Sequence, residues 1–289
     1  MSHSTKAGAL LQLTRFDKPI GTLLLLWPTL SALWLAAQGA PELGLLVIFI
    51  FGTFLTRSAG CIINDFADRN LDGGVSRTKA RPLVTGAVTV HEALLLFVVL
   101  MSLAFILVLF TNTFTVQLSL VAVALASTYP FMKRYTQLPQ LVLGAAFSWG
   151  IPMAFAAQRG ALPHALWLVY LANLLWTVAY DTTYAMVDRE DDLKVGIKSS
   201  AILFGRYDRL IIAALQLACL VFFYLAGRAF GLGLTFNGAL VVAAVLFAYQ
   251  HLLISERRTE TYFKAFLHNN WVGMVIFVGV VMDFMTGSA

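Results

Sequence analysis

The amino-acid sequence predicts an all-α integral membrane protein: a bundle of nine transmembrane helices in two halves, each carrying an acidic motif. Three observations lead there. The 289 residues are 59% hydrophobic and only 12% charged, with a mean hydropathy of +0.79, whereas a soluble domain carries about 25% charged residues. Apolar runs near the ~20 residues that a bilayer requires recur along the whole chain. Finally, 8 of the 15 acidic residues fall in two short segments: Asp65, Asp68 and Asp72 in one, and Asp181, Asp188, Glu190, Asp191 and Asp192 in the other.

In chain order, residues 1–18 form a polar, basic tail with Lys6, Arg15 and Lys18. The apolar run from Ile20 to Ala37 has a competing reading as a signal peptide, because Ala37-Gln38-Gly39 resembles a small-residue cleavage site. The run is longer than the roughly 7–15 residues of an ordinary signal core, so it reads as a retained first span, with Pro28 expected to kink it. The second span, 43–63, runs into the first acidic segment, and Gly73-Gly74 ends the helix there. Spans three (93–110) and four (to 131) meet at the turn Thr111-Asn112-Thr113. The fifth covers 138–157, and the sixth, 164–187, enters the second acidic segment. Spans seven (210–227), eight (234–254) and nine (266–285) complete a single transmembrane domain, 1–289.

Basic residues orient this bundle. Of the 20 Lys and Arg, 17 lie in the tail and in the loops on that same side, and Arg57 sits near the same end of span two. Only Arg159 and Arg228 fall opposite. The positive-inside rule therefore places the amino terminus and both acidic loops, 64–90 and 181–207, in the cytoplasm and the carboxyl terminus outside. The same distribution assigns the net charge of +5 to membrane topology and not to nucleic-acid binding.

The acidic segments carry the chemistry. Asn64, Asp68 and Asp72 recur at i, i+4 and i+8, within roughly 80° of arc on a helix, with Asp65 about 100° from Asn64. Tyr184, Asp188 and Asp192 repeat that spacing, Asp181 falls inside the same arc, and both segments contain Asp-Arg-x-x-Asp. Like charges so placed repel, and carboxylates beside a bilayer are costly. A hard divalent cation with oxygen ligands removes the conflict. Mg²⁺ suits the set Asn64, Asp65, Asp68, Asp72, Asp181, Asp188 and Asp192, because it binds through a few carboxylates plus substrate phosphates. Two facing clusters can hold a diphosphate through bridging ions, with Arg69, Arg77, Lys79, Arg81, Lys194 and Lys198 neutralising its remaining charge. On an allylic lipid, such a diphosphate becomes a leaving group, and the cation left behind needs an apolar pocket with electron-rich ring faces.

Other residues carry less. Glu190 projects about 240° from Tyr184, away from the acidic face. Asp17, Asp208 and Asp283 have no spacing pattern and read as structural. Cys61 and Cys219 read as small buried hydrophobes, and the five histidines lack zinc-site spacing.

With these residues in view, the chain resembles the intramembrane aromatic prenyltransferases of the UbiA superfamily. The pattern NDxxDxxxD is matched by Asn64, Asp65, Asp68 and Asp72, and the second motif by Tyr184, Asp188 and Asp192. Asp17-Lys18-Pro19-Ile20-Gly21, Trp27-Pro28-Thr29, the string from Tyr129 to Arg134, and Gly196-Ile197-Lys198-Ser199 are similar to the bacterial 4-hydroxybenzoate polyprenyltransferases of ubiquinone biosynthesis. The resemblance implies a helical bundle around a central cavity in a bacterial inner membrane, Mg²⁺ dependence, and two substrates, polyprenyl diphosphate and 4-hydroxybenzoate. It implies prenyl transfer to the aromatic ring with loss of diphosphate. No feature calls for an obligate protein partner. Arg134 is then expected to grip the acceptor's carboxylate through two hydrogen bonds, and Asp188 to draw off the phenolic proton. Alternatives are another acceptor (homogentisate or a naphthoate) and, from a different class, a divalent-cation or phosphate transporter, whose site would lie nearer the bilayer midplane.

Overall fold

Twelve α-helices and no strand occur among the described residues, 5–70, 72–74 and 77–287 of a computed structural model. Eight helical stretches are long and apolar enough to cross a membrane. They are α2 (Ile20–Ala37), α3 (Leu43–Asp68), α4 (Val90–Leu109), α5 (Thr113–Tyr135), α6 (Pro139–Ser148) with α7 (Gly150–Arg159), α9 (Ser200–Phe204) leading into α10 (Asp208–Ala229), α11 (Leu234–Ser255) and α12 (Thr259–Thr286). The expected sixth span, 164–187, lies in α8 (Leu166–Val195) and is not one of the eight, because Asn173, Asp181 and a series of Trp, Tyr and Thr residues dilute its apolar content. Those polar groups are not spread towards lipid. Asn173, Thr177, Thr182 and Thr183 are all buried, and α8 packs against α6, α10 and α12.

The fifth span also departs from expectation, being two helices. Pro152 has no N–H to offer the Ser148 carbonyl four residues back, and the ladder breaks between Ser148 and Gly150. At the break Gly150 packs on α2, where an added Cβ would lie 2.7 Å from Thr29 Oγ1. Gly273 of α12 likewise leaves room for Trp27 and Trp176. Small residues at such crossings let helices approach closely in lipid. Side-chain amides then tie the crossings together: Trp27 Nε1 donates to Asn270 Oδ1 at 2.9 Å, Trp176 Nε1 to Asn269 Oδ1 at 2.8 Å, and Asn173 Nδ2 to Ser148 Oγ at 2.9 Å. Asp283, read as structural, is fully buried and accepts from Gly233 N and Phe236 N, so α12 caps the amino terminus of α11. By contrast, α4 and α5 expose Leu95, Val98, Phe105, Ile106, Leu120 and Val123, as lipid-facing helices do.

Three further corrections concern the acidic side. The polar tail holds a helix, α1 (Lys6–Leu13), whose Ala9 and Leu13 bury against Ile62, Val88 and Ala93. The first motif is not one helical face. Helix α3 stops at Asp68, and Asp72 belongs to a separate 3-10 turn, Asp72–Gly74. The second motif is more helical than a loop: α8 continues to Val195 and ends on left-handed Gly196 (φ 74°), so Tyr184, Asp188 and Asp192 do share one face.

Candidate active site

The two acidic segments meet at one end of the bundle, and four elements position them. Arg77, in the loop after the first motif, crosses to α8: its Nε lies 3.0 Å from Asp188 Oδ1 and its Nη2 bonds Oδ2. Lys133, at the end of α5, pairs with Asp68, while its backbone carbonyl accepts from Lys198 N at 3.1 Å in the segment after α8. Gly74 abuts the end of α8, where an added Cβ would lie 2.8 Å from Val195 Cγ1. Helical spacing does not hold for Asp72, yet the turn still delivers it: Arg81 Nη1 lies 2.6 Å from Asp72 Oδ2 and 2.9 Å from Asp65 Oδ1.

These carboxylates are buried, and Asp65, Asp68 and Asp72 are each paired with a cation. Asp65 and Asp68 are each 2% exposed, Asp72 6% and Asp192 8%, levels at which unpaired charges would be prohibitive. Arg77 remains charged: burial opposes it, but the Tyr184 and Asp188 groups beside it hold its pKa above the usual arginine value. Its guanidinium also sits 4.7 Å over the Tyr184 ring, which packs on Phe266 at 4.6 Å between centroids. Asp181 lies deeper along α8, within electrostatic reach of Arg57 and Arg77.

The remaining basic residues sort differently. Arg69 folds back over Phe66 and donates to its carbonyl, Lys194 pairs with Asp191, Lys198 Nζ reaches Tyr135 O at 3.4 Å, and Lys79 is exposed. Arg134 is exposed, stacks on Phe131, and donates to Ala67 O at 2.6 Å, closing the end of α3. It also lines a cleft of about 370 Å³ with Asn70, Lys133 and Gly196. Glu190 is exposed, as its angle on α8 requires. Glu190→Gln is therefore expected to leave turnover within about twofold, as surface substitutions do; a loss as deep as that of Asp188→Asn would break the helical-face assignment.

Does this donor set suit Mg²⁺? Among the described residues no three His, Cys, Asp or Glu side chains are gathered tightly enough to hold a metal unaided. All candidate donors are hard oxygens, however, and Asp68 Oδ1 is buried with no hydrogen-bond partner. An ion that completes its shell with substrate phosphate and water fits this arrangement, whereas an all-protein cage does not.

A model of the UbiA prenyltransferase family matches residues 25–273. The chain belongs to that family. A relative from Saccharophagus degradans, described as a 4-hydroxybenzoate octaprenyltransferase, is 61% identical over 272 residues, covering 94% of this chain and 91% of its own. Among solved structures, the apo UbiA homolog from Aeropyrum pernix K1 superposes with a TM-score of 0.81 at 26% identity, covering 91% of this chain and 97% of that one. The Archaeoglobus fulgidus homolog bound to GPP and Mg²⁺, 16% identical, shares the fold with a TM-score of 0.68 over 95% of this chain and 99% of its own.

Three residues of this UbiA-family site have no clear signature in the sequence. Arg15 sits 50 positions before its partner Asp65, to which Nη2 donates at 3.1 and 2.9 Å, and no local spacing links them. Lys133, by sequence, is only a topology determinant. Arg57 reads the same way, yet its guanidinium lies against Cys61 Sγ at 2.8 Å and the Phe147 ring, with Nε buried and unpartnered. The available signal is an arginine seven residues before Asn64, on the side of α3 away from its lipid-facing Phe51.

Proposed function

We propose that this protein is a prenyltransferase that moves a polyprenyl group, octaprenyl in its relatives' descriptions, from the diphosphate to the ring of 4-hydroxybenzoate in ubiquinone biosynthesis. One observation carries the reading: both acidic motifs converge on one side of the bundle, joined by Arg77 and faced by Lys133 and Arg81. A midplane transporter site has no need of that convergence. Nine spans, α8 being the ninth, would surround the cavity that receives the lipid.

Asp68, Asp72 and Asp192, with Asn64 and the neighbouring Asp188, would hold Mg²⁺; Asp65 and Asp181 lie behind them. When bound, the ion would neutralise the diphosphate and make it a better leaving group. The chain's own cations do related work. Arg77, Arg81 and Lys133 each rest on a motif carboxylate, so an arriving diphosphate finds them already placed and exchanges one anionic partner for another. The bond from the allylic carbon to the diphosphate oxygen breaks, the ring carbon beside the phenolic hydroxyl forms the new bond, and that carbon then loses its own proton to the phenolate oxygen, which restores the aromatic phenol. When Arg77 turns to the diphosphate, Asp188 is released to accept the phenolic proton. Tyr184 and Phe266 present ring faces beside that point.

The test is direct. Membranes holding the protein, given labelled 4-hydroxybenzoate and octaprenyl diphosphate, should form prenylated product with Mg²⁺ and none after chelation. Product from homogentisate but none from 4-hydroxybenzoate would overturn the acceptor assignment. The proposed orientation, amino terminus and site in the cytoplasm of a bacterial inner membrane, rests on the bias of basic residues. A cysteine placed at Gly196 should react only when reagent reaches the cytoplasm, and labelling of intact cells with an impermeant thiol reagent would reverse the orientation. The corresponding probes at Ser76 and Ser288 lie outside the described residues.

A further inference from the structure

About a quarter turn round α8 from Asp188 lies a second knot of charge outside the acidic motifs. Asp208, the first residue of α10, is fully buried. Its Oδ2 accepts from Arg189 Nη2 at 2.6 Å and from Arg257 Nη1 at 3.2 Å, and its Oδ1 accepts from Arg209 N at 2.6 Å. Three elements are thus tied at one carboxylate: α8, the start of α10, and the turn between α11 and α12. Arg257 holds a left-handed backbone (φ 54°), which a non-glycine residue adopts only where its surroundings enforce it. The first half has a counterpart, since left-handed Arg15 (φ 57°) bonds buried Asp65.

We infer that Asp208 is a positioning residue for the transfer reaction, setting the rotation of α8 so that Asp188 and Asp192 face the first acidic segment. The inference rests on the function proposed above. Consecutive helical residues leave the axis about 100° apart. Holding Arg189 against α10 therefore fixes the direction in which Asp188 points, and Asp192 lies about 40° from Asp188 on the same face. The device is placed where it is needed. From Asp188 onward α8 extends past its apolar length, and lipid no longer clamps it. Arg189 and Arg257 would otherwise be two like charges side by side at the end of α10, so the knot holds only while the Asp208 carboxylate is in place.

The experiment compares the parent protein with Asp208→Asn, which keeps the volume and removes the charge. Misplacing a reacting group by about 1 Å costs on the order of 100-fold in rate, so kcat per folded molecule should fall by about 10- to 100-fold. The KM for 4-hydroxybenzoate should stay within about twofold. Placement is read independently of activity by spin labels at His91→Cys and Glu190→Cys, both exposed, with Cys61 and Cys219 buried and unlabelled. The distance distribution between the labels should widen or shift in Asp208→Asn. If the variant does not fold, Asp208→Glu keeps the charge one methylene further out and should show the same changes at smaller amplitude. An unchanged label distribution, or an unchanged kcat, overturns the inference. A parent protein that fails to prenylate 4-hydroxybenzoate overturns the proposed function instead, and the label distances then judge the placement alone.

Discussion

Asp68→Asn and Asp188→Asn are each expected to lower kcat by at least about 10²–10³-fold, the loss seen when one preorganised charge-stabilising group is removed. Protein amount and melting temperature should change little. Both substitutions keep the shape of the side chain. They do leave a cation facing an amide, Lys133 at Asp68 and Arg77 at Asp188, but both cations are partly open to solvent and can rehydrate. The two sites should differ in one respect. Asp68 keeps one oxygen buried and without a partner, so its replacement should raise the Mg²⁺ concentration needed for half-maximal rate. Asp188 has both oxygens on Arg77, so its replacement should act on kcat even at saturating Mg²⁺. Steady-state kinetics at graded Mg²⁺ reads both effects, and near-parent activity in either variant would remove that residue from the site.

Much of this architecture is legible in the sequence because lipid imposes a simple rule. Runs of about 20 apolar residues must span, and eight stretches do so at the expected places. Polar chemistry inside the bundle is harder to read. Helix α8 hides Asn173, Asp181 and several threonines from lipid by packing them on α6, α10 and α12, and sequence alone does not show that shield. The break at Trp149 depends on Pro152 and on the close approach of Gly150 to Thr29, a contact across 121 positions. At the site, periodicity finds the second motif because α8 is continuous through Val195. It finds the residues of the first motif for a partly wrong reason: Asp72 reaches the cluster through a glycine turn and Arg81, not through helical register. Long-range ion pairs such as Arg15 with Asp65 have no periodic signature, and so they escape it.

Arg134 offers the sharpest kinetic separation. If it grips the carboxylate of 4-hydroxybenzoate, Arg134→Ala removes a charge-assisted hydrogen-bonded pair worth about 1.5–3 kcal/mol. The KM for the acceptor should then rise by about 10–100-fold, with the KM for polyprenyl diphosphate nearly unchanged. Arg134→Lys should recover little, because an ammonium cannot reproduce the paired donors of a guanidinium. The structure supplies a competing task. Arg134 closes the last turn of α3 through Ala67 O, one residue before Asp68, and stacks on Phe131 at the surface. Were that its whole role, Arg134→Lys would behave like the parent, since a lysine can also bond a carbonyl at a helix end. Arg134→Ala would then weaken both substrates together by loosening the Asp68 turn. Arg57 marks where the carboxylate would go in that case. It lies about three turns deeper on α3 than Ala67 with a buried donor to spare, and Arg57→Lys would then raise the acceptor KM while Arg134→Lys would not. Measuring both KM values in the three variants assigns the carboxylate to the cytoplasmic cleft or to the interior of the bundle.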